Sequence, residues 1–491
     1  MSQTAQQHPA QHEDPEYAAN LRRATLASSV GSALEYFDFA LYGLFSALIF
    51  GQLFFSNLPP EFQIVASLAS FGVGFIARPL GGLFFGTLGD KLGRKWVLVV
   101  TILLMGGATT LIGLLPTFET IGIWAPILLT VLRLAQGFGA GAEQAGATVL
   151  MAEYSPVRRR GFFSSLPFIG IQLGTLLAAV VFSAMSLLPE DVFMGWAWRV
   201  PFIGSFLLIM VAIFIRLRLR ETPTFIELEK HEQVAERPIR EIFTKGMPGI
   251  TVGVGLRMAE NGGSYMFQTL ALAFVAGGFL ANPVDRGIAT WGVTIGSLIG
   301  MATIPLTGHL SDRFGRRAVY RAGAVFMLLY ALPAWWMLSL GNPALTVAVI
   351  AIGIGFGVNT MLGPQCAMLP ELFGNRHRYL GVAMAREISA VLAGGLAGVL
   401  GAYLLAVSDG DWLLPGIYLA TLALITTAST FLVPETRGRD LLRLEDAVRV
   451  STTESLESDE AQTAQGISAQ GNTAQGTTAD ASPSSGARAR V

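Results

Sequence analysis

The chain has 491 residues, of which 52% are hydrophobic and only 14% charged, against about a quarter charged in an average soluble domain. Its formal net charge of −1 offers no electrostatic handle for nucleic acid, and its single cysteine, Cys366, excludes an internal disulfide framework and a multi-cysteine metal site. What remains is a chain whose apolar blocks recur at about the 20-residue length that crosses ~30 Å of hydrocarbon.

Residues 1–24 are polar, with no apolar core and no small-residue cleavage site, so they read as a cytoplasmic N-terminal segment and not a secretory signal. Apolar segments follow at about 25–52, 62–88, 96–116, 121–151, 162–187, 197–217, 247–279, 287–308, 319–340, 344–369, 380–406 and 412–433. They predict an all-α membrane protein of twelve transmembrane helices. A charged cytoplasmic loop, 218–246, separates a six-helix bundle over 25–217 from another over 247–434. Residues 435–491, which become rich in Ser, Thr, Gln, Ala and Gly, predict a disordered cytoplasmic tail.

The two sets of six are related. Gly86-Thr87-Leu88-Gly89-Asp90-Lys91-Leu92-Gly93-Arg94-Lys95 returns as Gly308-His309-Leu310-Ser311-Asp312-Arg313-Phe314-Gly315-Arg316-Arg317, 222 residues on (308 − 86). Glu153-Tyr-Ser-Pro-Val-Arg158 likewise returns as Glu371-Leu-Phe-Gly-Asn-Arg376, 218 residues on (371 − 153). Basic loops (Lys91, Arg94, Lys95; Arg158, Arg159, Arg160; Arg313, Arg316, Arg317, Arg321; Arg376, Arg378; Arg437, Arg439) alternate with acidic ones (Glu61, Glu119, Glu190, Asp191, Asp285, Asp409, Asp411) that hold little basic charge beyond Arg286. By the positive-inside rule the basic loops and both termini are cytoplasmic, in the plasma (cell inner) membrane.

Ionisable groups inside the spans are the candidate site. In span 1, Glu35 and Asp38 are three apart and share a helical face, with Tyr42 one turn further. A carboxylate in hydrocarbon costs at least ~2.5 kcal/mol on insertion scales, so these should face a water-filled or protein interior. There, desolvation favours the protonated form and a nearby cation the ionised one. A carboxyl that alternates between those influences loads a proton on one side and releases it on the other; the alternative is a permanent ion pair that locks span 1 to a neighbour. Arg78 lies in span 2 beside Pro79, Gly81 and Gly82, where a substrate contact and close helix packing are both open. Arg133 is a single cation deep in span 4, with Gln136 and Gln144 near its face, and calls for a carboxylate or a substrate as partner. In span 7, Arg257, Glu260 and Asn261 recur at helical spacing, and Asp38 shifted by the repeat offset lands on Glu260 (38 + 222). Arg257 can capture a substrate carboxylate bidentately, or close on Glu260. Gln172 in span 5 and Asn359 and Gln365 in span 10 can hydrogen-bond substrate or another helix. In span 11, Arg386 and Glu387 are adjacent and point in different directions.

At the basic loops, Asp90 with Arg94 and Asp312 with Arg316 read as gate residues, a latch completed by Glu153, Arg158, Glu371 and Arg376. The glycine runs, such as Gly137-x-Gly139-x-Gly141, follow no strand and suit helix packing, not a nucleotide. No metal cluster, Ser-His-Asp arrangement or cysteine nucleophile stands out, so neither an enzyme nor a cofactor or metal is expected.

On the paired hairpins, Arg133-x-x-Gln136-Gly137 and the two Glu-x4-Arg loops, the membrane portion resembles the major facilitator superfamily. Glu35-Tyr36-Phe37-Asp38-Phe39 with Tyr42-Gly43, Ala77-Arg78-Pro79-Leu80-Gly81-Gly82, Gly137-Phe-Gly-Ala-Gly141-Ala-Glu143, Trp198-Arg199-Val200-Pro201-Phe202 and Glu221-Thr222 together look like its metabolite:proton symporter family, which includes shikimate, α-ketoglutarate, citrate and proline/betaine carriers. The chain departs from that family at Tyr36-Phe37, where Trp-Tyr is usual, and at Ala142 and Gln144. The resemblance implies two pseudo-symmetric bundles that rock about a site between them, with spans 1 and 7 flanking the cavity and the Arg133 position tied to coupling. It further implies a monomer in the bilayer whose partners are protons and a small molecule, with no nucleic acid. The internal arginines favour import of a small organic carboxylate. Proline/betaine-type osmolyte symport and proton-linked efflux are the alternatives; the tail lacks the heptads of osmosensing relatives, and Gly170-Ile-Gln-Leu-Gly174-Thr175 breaks the antiporter run.

Overall fold

A computed structural model of the chain describes residues 15–92, 94–141, 143–218, 246–277, 279–375, 378–441, 443 and 445–448. Among them every regular element is a helix, as hydrocarbon demands of a backbone that must satisfy its own hydrogen bonds. The first half holds α1 (Pro15–Leu48), α2 (Pro60–Leu92), α3 (Arg94–Leu114), α4 (Trp124–Ala140, continued by Glu143–Tyr154), α5 (Arg160–Met185) and α6 (Arg199–Arg218). The second holds α7 (Met247–Tyr265, a π turn Met266–Leu270, then Ala271–Ala276), α8 (Arg286–Phe314) and α9 (Arg316–Ser339). It continues with α10 (Pro343–Ile352, a π turn Gly353–Val358, Asn359–Leu372), α11 (Arg378–Ser389, a π turn Ala390–Gly395, Leu396–Val407) and α12 (Leu413–Leu432). Eight of these rods are long and apolar enough to cross a membrane by length and hydropathy alone, and α6 makes nine when joined to the Glu190–Ala197 stretch that enters it at a 44° bend. Helix α3 adds a shorter apolar stretch, Val99–Leu114, within its described side chains, while α1 and α7 carry Glu35, Asp38 and Glu260 of the site.

Within the first half α1 packs along α5, α2 along α4 and α3 along α6; within the second, α7 packs on α11 and α12, and α8 on α10. The halves meet along two seams, α5 against α8 and α2 against α11, related by the same six-helix shift as the sequence repeat. Each seam has a glycine crossing. A Cβ on Gly161 would lie 2.4 Å from the Gly308 carbonyl oxygen, and one on Gly72 would lie 2.7 Å from that of Gly395. The hairpin between α8 and α9 turns on Gly315, whose φ of +101° favours glycine.

Two expectations change. Helix α1 begins at Pro15 and so takes in part of the segment 1–24. The described part of the tail is folded: Glu435 accepts the backbone N–H groups of Arg316 (2.8 Å) and Arg317 (3.2 Å) at the start of α9, a favourable place for a carboxylate. Leu441 and Ala447 are buried beside it. These anchors are few and scattered among polar residues, so composition alone hides them; residues 449–491, like the central loop 219–245, lie outside the described residues.

Candidate functional site

A layer of buried ionisable groups lies across the interface between the halves. Arg78 of α2 donates from Nε to Glu387 of α11 at 2.8 Å, and its Nη2 is 3.7 Å from Glu35 of α1. Glu35 accepts from Gln144 Nε2 of α4 at 3.1 Å, and Gln144 Oε1 in turn accepts from Arg386 Nη2 of α11 at 2.5 Å. On α7, Arg257 pairs with Glu260 at 3.1 Å, and Glu260 also accepts from Gln365 of α10 at 3.1 Å. Asn261 donates to Ser389 of α11 at 3.3 Å. Gln172 of α5 donates to Asn359 of α10 at 2.9 Å, a second polar tie between the halves. Every one of these charged residues is at most 6% exposed. At such depth a broken pair leaves an uncompensated charge, which costs about 3–5 kcal/mol.

Asp38 does not share this layer with Glu35. Its carboxylate accepts from Ser205 of α6 (2.9 Å) and Thr109 of α3 (3.1 Å), inside the first half. Three residues on a helix turn about 300°, and the remaining 60° sends the two carboxylates to different neighbours. Tyr42 is hydrogen-bonded to Ser70 of α2 at 2.8 Å. Arg133 has no carboxylate partner among the described residues; its guanidinium sits 4.4–4.6 Å from the ring centroids of Phe39, Tyr42 and Phe71 and donates to Gln136. Gln136 donates to Thr109 at 2.9 Å. A hydrogen-bonded chain therefore runs Arg133–Gln136–Thr109–Asp38, and the aromatic faces supply much of the electrostatics that a carboxylate was expected to supply.

Above the layer, toward the acidic loops, Phe71, Phe75 and Tyr265 close in edge-to-face contact, with centroids 5.0–5.5 Å apart. Glu190 and Arg286 form an ion pair between the halves at that end. Below the layer, the basic end is latched. Asp312 accepts the backbone N–H groups of Gly161 (2.8 Å) and Phe162 (2.9 Å) at the N-terminus of α5, and also pairs with Arg316 at 2.6 Å. Glu371 bridges Arg160 of the first half (2.9 Å) to Arg316 of the second (3.3 Å), and Arg378 pairs with Glu153 at 3.0 Å. Contact at both ends makes this an occluded conformation. A cavity of about 10 Å³ between Tyr36, Phe39, Phe71, Tyr265 and Gln268 holds no more than about one water.

The structure thus brings Glu35, Arg78, Gln172 and Asn359 into the polar contacts across the interface, keeps Arg257, Glu260 and Asn261 bonded within the second bundle, and leaves Asp38, Tyr42, Arg133 and Gln136 bonded within the first. In the gate, Arg158 is corrected: it is exposed and has no described ion pair, and the latch uses Arg160 instead. Arg158 sits in a 3-10 turn, Val157–Arg159, with its side chain exposed, whereas Arg160 is buried and opens α5 on the seam. Arg376 lies outside the described residues, as do the side chains of Asp90 and Arg94; Arg378 is the partner that Glu153 finds. Sequence reasoning weighed Arg386, Glu387, Gln144 and Gln365 without settling any of them into the site. Their signal was present, since each is a polar residue within an apolar span, but adjacency made Arg386 and Glu387 look mutually exclusive. Both reach the first half because one long side chain aims at α4 and the other at α2.

The family described as Sugar (and other) transporter matches residues 24–250, and that described as Major Facilitator Superfamily matches residues 258–461. The chain is 38% identical over 432 residues to the proline/betaine transporter of Escherichia coli K12, covering 86% of this chain and 85% of that protein. It is 35% identical to the shikimate transporter of the same organism, covering 85% and 95%. Among solved structures, the proton:xylose symporter XylE is similar with a TM-score of 0.65 at 18% identity, covering 87% of this chain and 98% of that one.

Proposed function

The chain belongs to the major facilitator superfamily of multi-pass membrane transporters, and on that premise we propose that it is a proton-coupled symporter importing a small polar metabolite, an organic carboxylate, by alternating access. It works as a monomer in the plasma (cell inner) membrane, with the basic end and both termini in the cytoplasm. It is a transporter and not an enzyme.

The observation that carries this reading is the buried layer in which Arg78, Glu35, Arg386 and Glu387 cross the interface between the halves. Every bond across that interface must be broken and remade as the halves rock, so the charge state of one carboxyl decides which arrangement is affordable. Glu35, Asp38 and Glu260 are the proton-accepting carboxyls, and Arg133 links Asp38 to the interface through Gln136 and Thr109. Arg257, Arg78 and Asn261 face the substrate, with Gln172 and Asn359 closing behind it and Tyr42 and Gln136 lining the first-half wall. The cytoplasmic gate is Asp312, Arg316, Glu153, Glu371, Arg160 and Arg378, with Asp90 and Arg94 as the symmetry counterpart in the first hairpin.

A second reading, a zwitterionic osmolyte, is favoured by one observation: Phe39, Tyr42 and Phe71 hold the Arg133 guanidinium by their faces, the chemistry that also holds a quaternary ammonium. Reconstitution in proteoliposomes with an imposed inward proton gradient decides between them. Accumulation of labelled shikimate or 2-oxoglutarate, abolished by an uncoupler, is expected. Accumulation of glycine betaine alone favours the osmolyte reading, and retention enhanced by the uncoupler would mean efflux.

A further inference from the structure

Deepening that reading, on which it rests, we infer that the substrate carboxylate docks between Arg257 of α7 and Arg386 of α11, and that one proton enters per substrate negative charge, so that the buried layer stays neutral. Arg257 and Arg386 are 4% and 3% exposed. Each has two guanidinium nitrogens with no partner, Nε and Nη1 in both cases. Arg257 spends its Nη2 on Glu260 and Arg386 its Nη2 on Gln144. Asn261 of α7 donates to Ser389 of α11 at 3.3 Å, and a Cβ on Gly253 would lie 2.9 Å from the Ala385 Cβ, so the two helices pack side by side along the stretch that bears Arg257 and Arg386. A buried guanidinium with idle donors beside a second one is an unsatisfied arrangement, and one carboxylate, planar and bidentate, satisfies both. Nothing else described in the layer does so: Glu387 is held by Arg78, and Glu35 by Arg78 and Gln144. Docked there, the carboxylate completes a continuous polar relay from Glu35 through Gln144 and Arg386 to Arg257 and Glu260.

The charge rule follows from counting the described side chains of the layer. Arg78, Arg257 and Arg386 stand against Glu35, Glu260 and Glu387, three positive against three negative. The empty layer is neutral, and a bound monocarboxylate makes it −1. Net charge in a sealed, water-poor layer is costly, and a proton on Glu35 or Glu260 restores balance before the gates close. The cargo crossing the membrane, anion plus proton, then carries no net charge.

The full chain in proteoliposomes, with membrane potential clamped by potassium and valinomycin, tests both parts. The probes are labelled shikimate, 2-oxoglutarate and glycine betaine, with shikimate methyl ester as the uncharged competitor. The wild type is expected to take up a carboxylate in proportion to the proton gradient, to show no net current, and to reject the ester at least tenfold relative to the acid. In Arg386→Gln and Arg257→Gln that discrimination is expected to collapse to within about threefold, while Arg386→Lys keeps most of it; a merely structural arginine lowers uptake without changing acid-over-ester preference. Unchanged discrimination in both Gln variants, a current accompanying carboxylate uptake, or uptake of glycine betaine alone overturns the inference and leaves transport standing. Entry of none of the three probes under any gradient overturns the transport reading and this inference together.

Discussion

At the residue scale, the division of labour among carboxylates is the main outcome. Asp38 is held by two hydroxyls inside one bundle, whereas Glu35 and Glu387 share Arg78 across the interface. Asp38→Asn keeps a side-chain oxygen as acceptor and removes the titration. It is expected to abolish gradient-driven accumulation while sparing exchange of labelled for unlabelled substrate, and accumulation that survives in the variant overturns a proton role for Asp38. Glu387→Gln has a different signature. It leaves the buried Arg78 with only the longer 3.7 Å contact to Glu35, and an uncompensated buried charge costs about 3–5 kcal/mol. The purified variant is therefore expected to unfold at a clearly lower temperature in detergent, and an unchanged Tm argues that the pair does not persist in solution.

At the element scale, the seams are made of helices that touch through glycine. Gly72→Val places a side chain against the Gly395 carbonyl, where even the Cβ has only 2.7 Å. Overpacking of this kind costs about 1–3 kcal/mol, here charged to the closed state alone. Uptake is expected to fall at least about fivefold while the protein stays monodisperse. Gly107→Ala in α3, which meets nothing within 4 Å, serves as control and is expected to transport normally. The second half carries π turns within α7, α10 and α11, and the first half has one, Phe193–Ala197, ahead of α6. Such turns loosen the regular ladder and often mark functional segments; here two of them, Met266–Leu270 and Ala390–Gly395, directly follow the segments that bear Arg257, Glu260, Asn261, Arg386 and Ser389.

At the scale of the whole molecule, the latch at the basic end converts local ion pairs into a gate. Glu371 holds Arg160 and Arg316 and also accepts from Thr436 at 2.9 Å, so the folded start of the tail is tied into the same joint. Cys366 is a built-in reporter. It is the sole cysteine, it is 1% exposed, and it packs with Phe168, Ile171, Ile304 and Leu362 where α5, α8 and α10 meet. Glu371→Gln and Arg160→Ala are expected to raise the rate of maleimide labelling of Cys366 about tenfold or more, since each 1.4 kcal/mol taken from the closed state is a factor of ten in opening. Arg158→Ala, at an exposed position, is expected to label like the wild type. Equal rates in all three variants would mean that the basic-end ion pairs do not hold the gate.

Hydrophobic periodicity, the repeated hairpin and alternating loop charge were enough, by themselves, to determine an all-α membrane protein with two related halves of six helices. These are properties of single segments and their spacing, which hydrocarbon constrains strongly. The residue types of the site were legible for the same reason: a charge inside a 20-residue apolar span stands out (about the length that hydrocarbon imposes). Partners were not legible. Whether Asp38 turns into its own bundle, whether Arg133 meets a carboxylate or three aromatic rings, and whether Arg158 or Arg160 reaches Glu371 depend on helix rotation and on which helices become neighbours. Those are set by packing between segments far apart in the chain, 62 positions for Arg133 and Phe71, 71 for Asp38 and Thr109 and 309 for Arg78 and Glu387. Only the tertiary structure decides them, because a pairing across the interface is a property of two surfaces brought together and of neither helix alone.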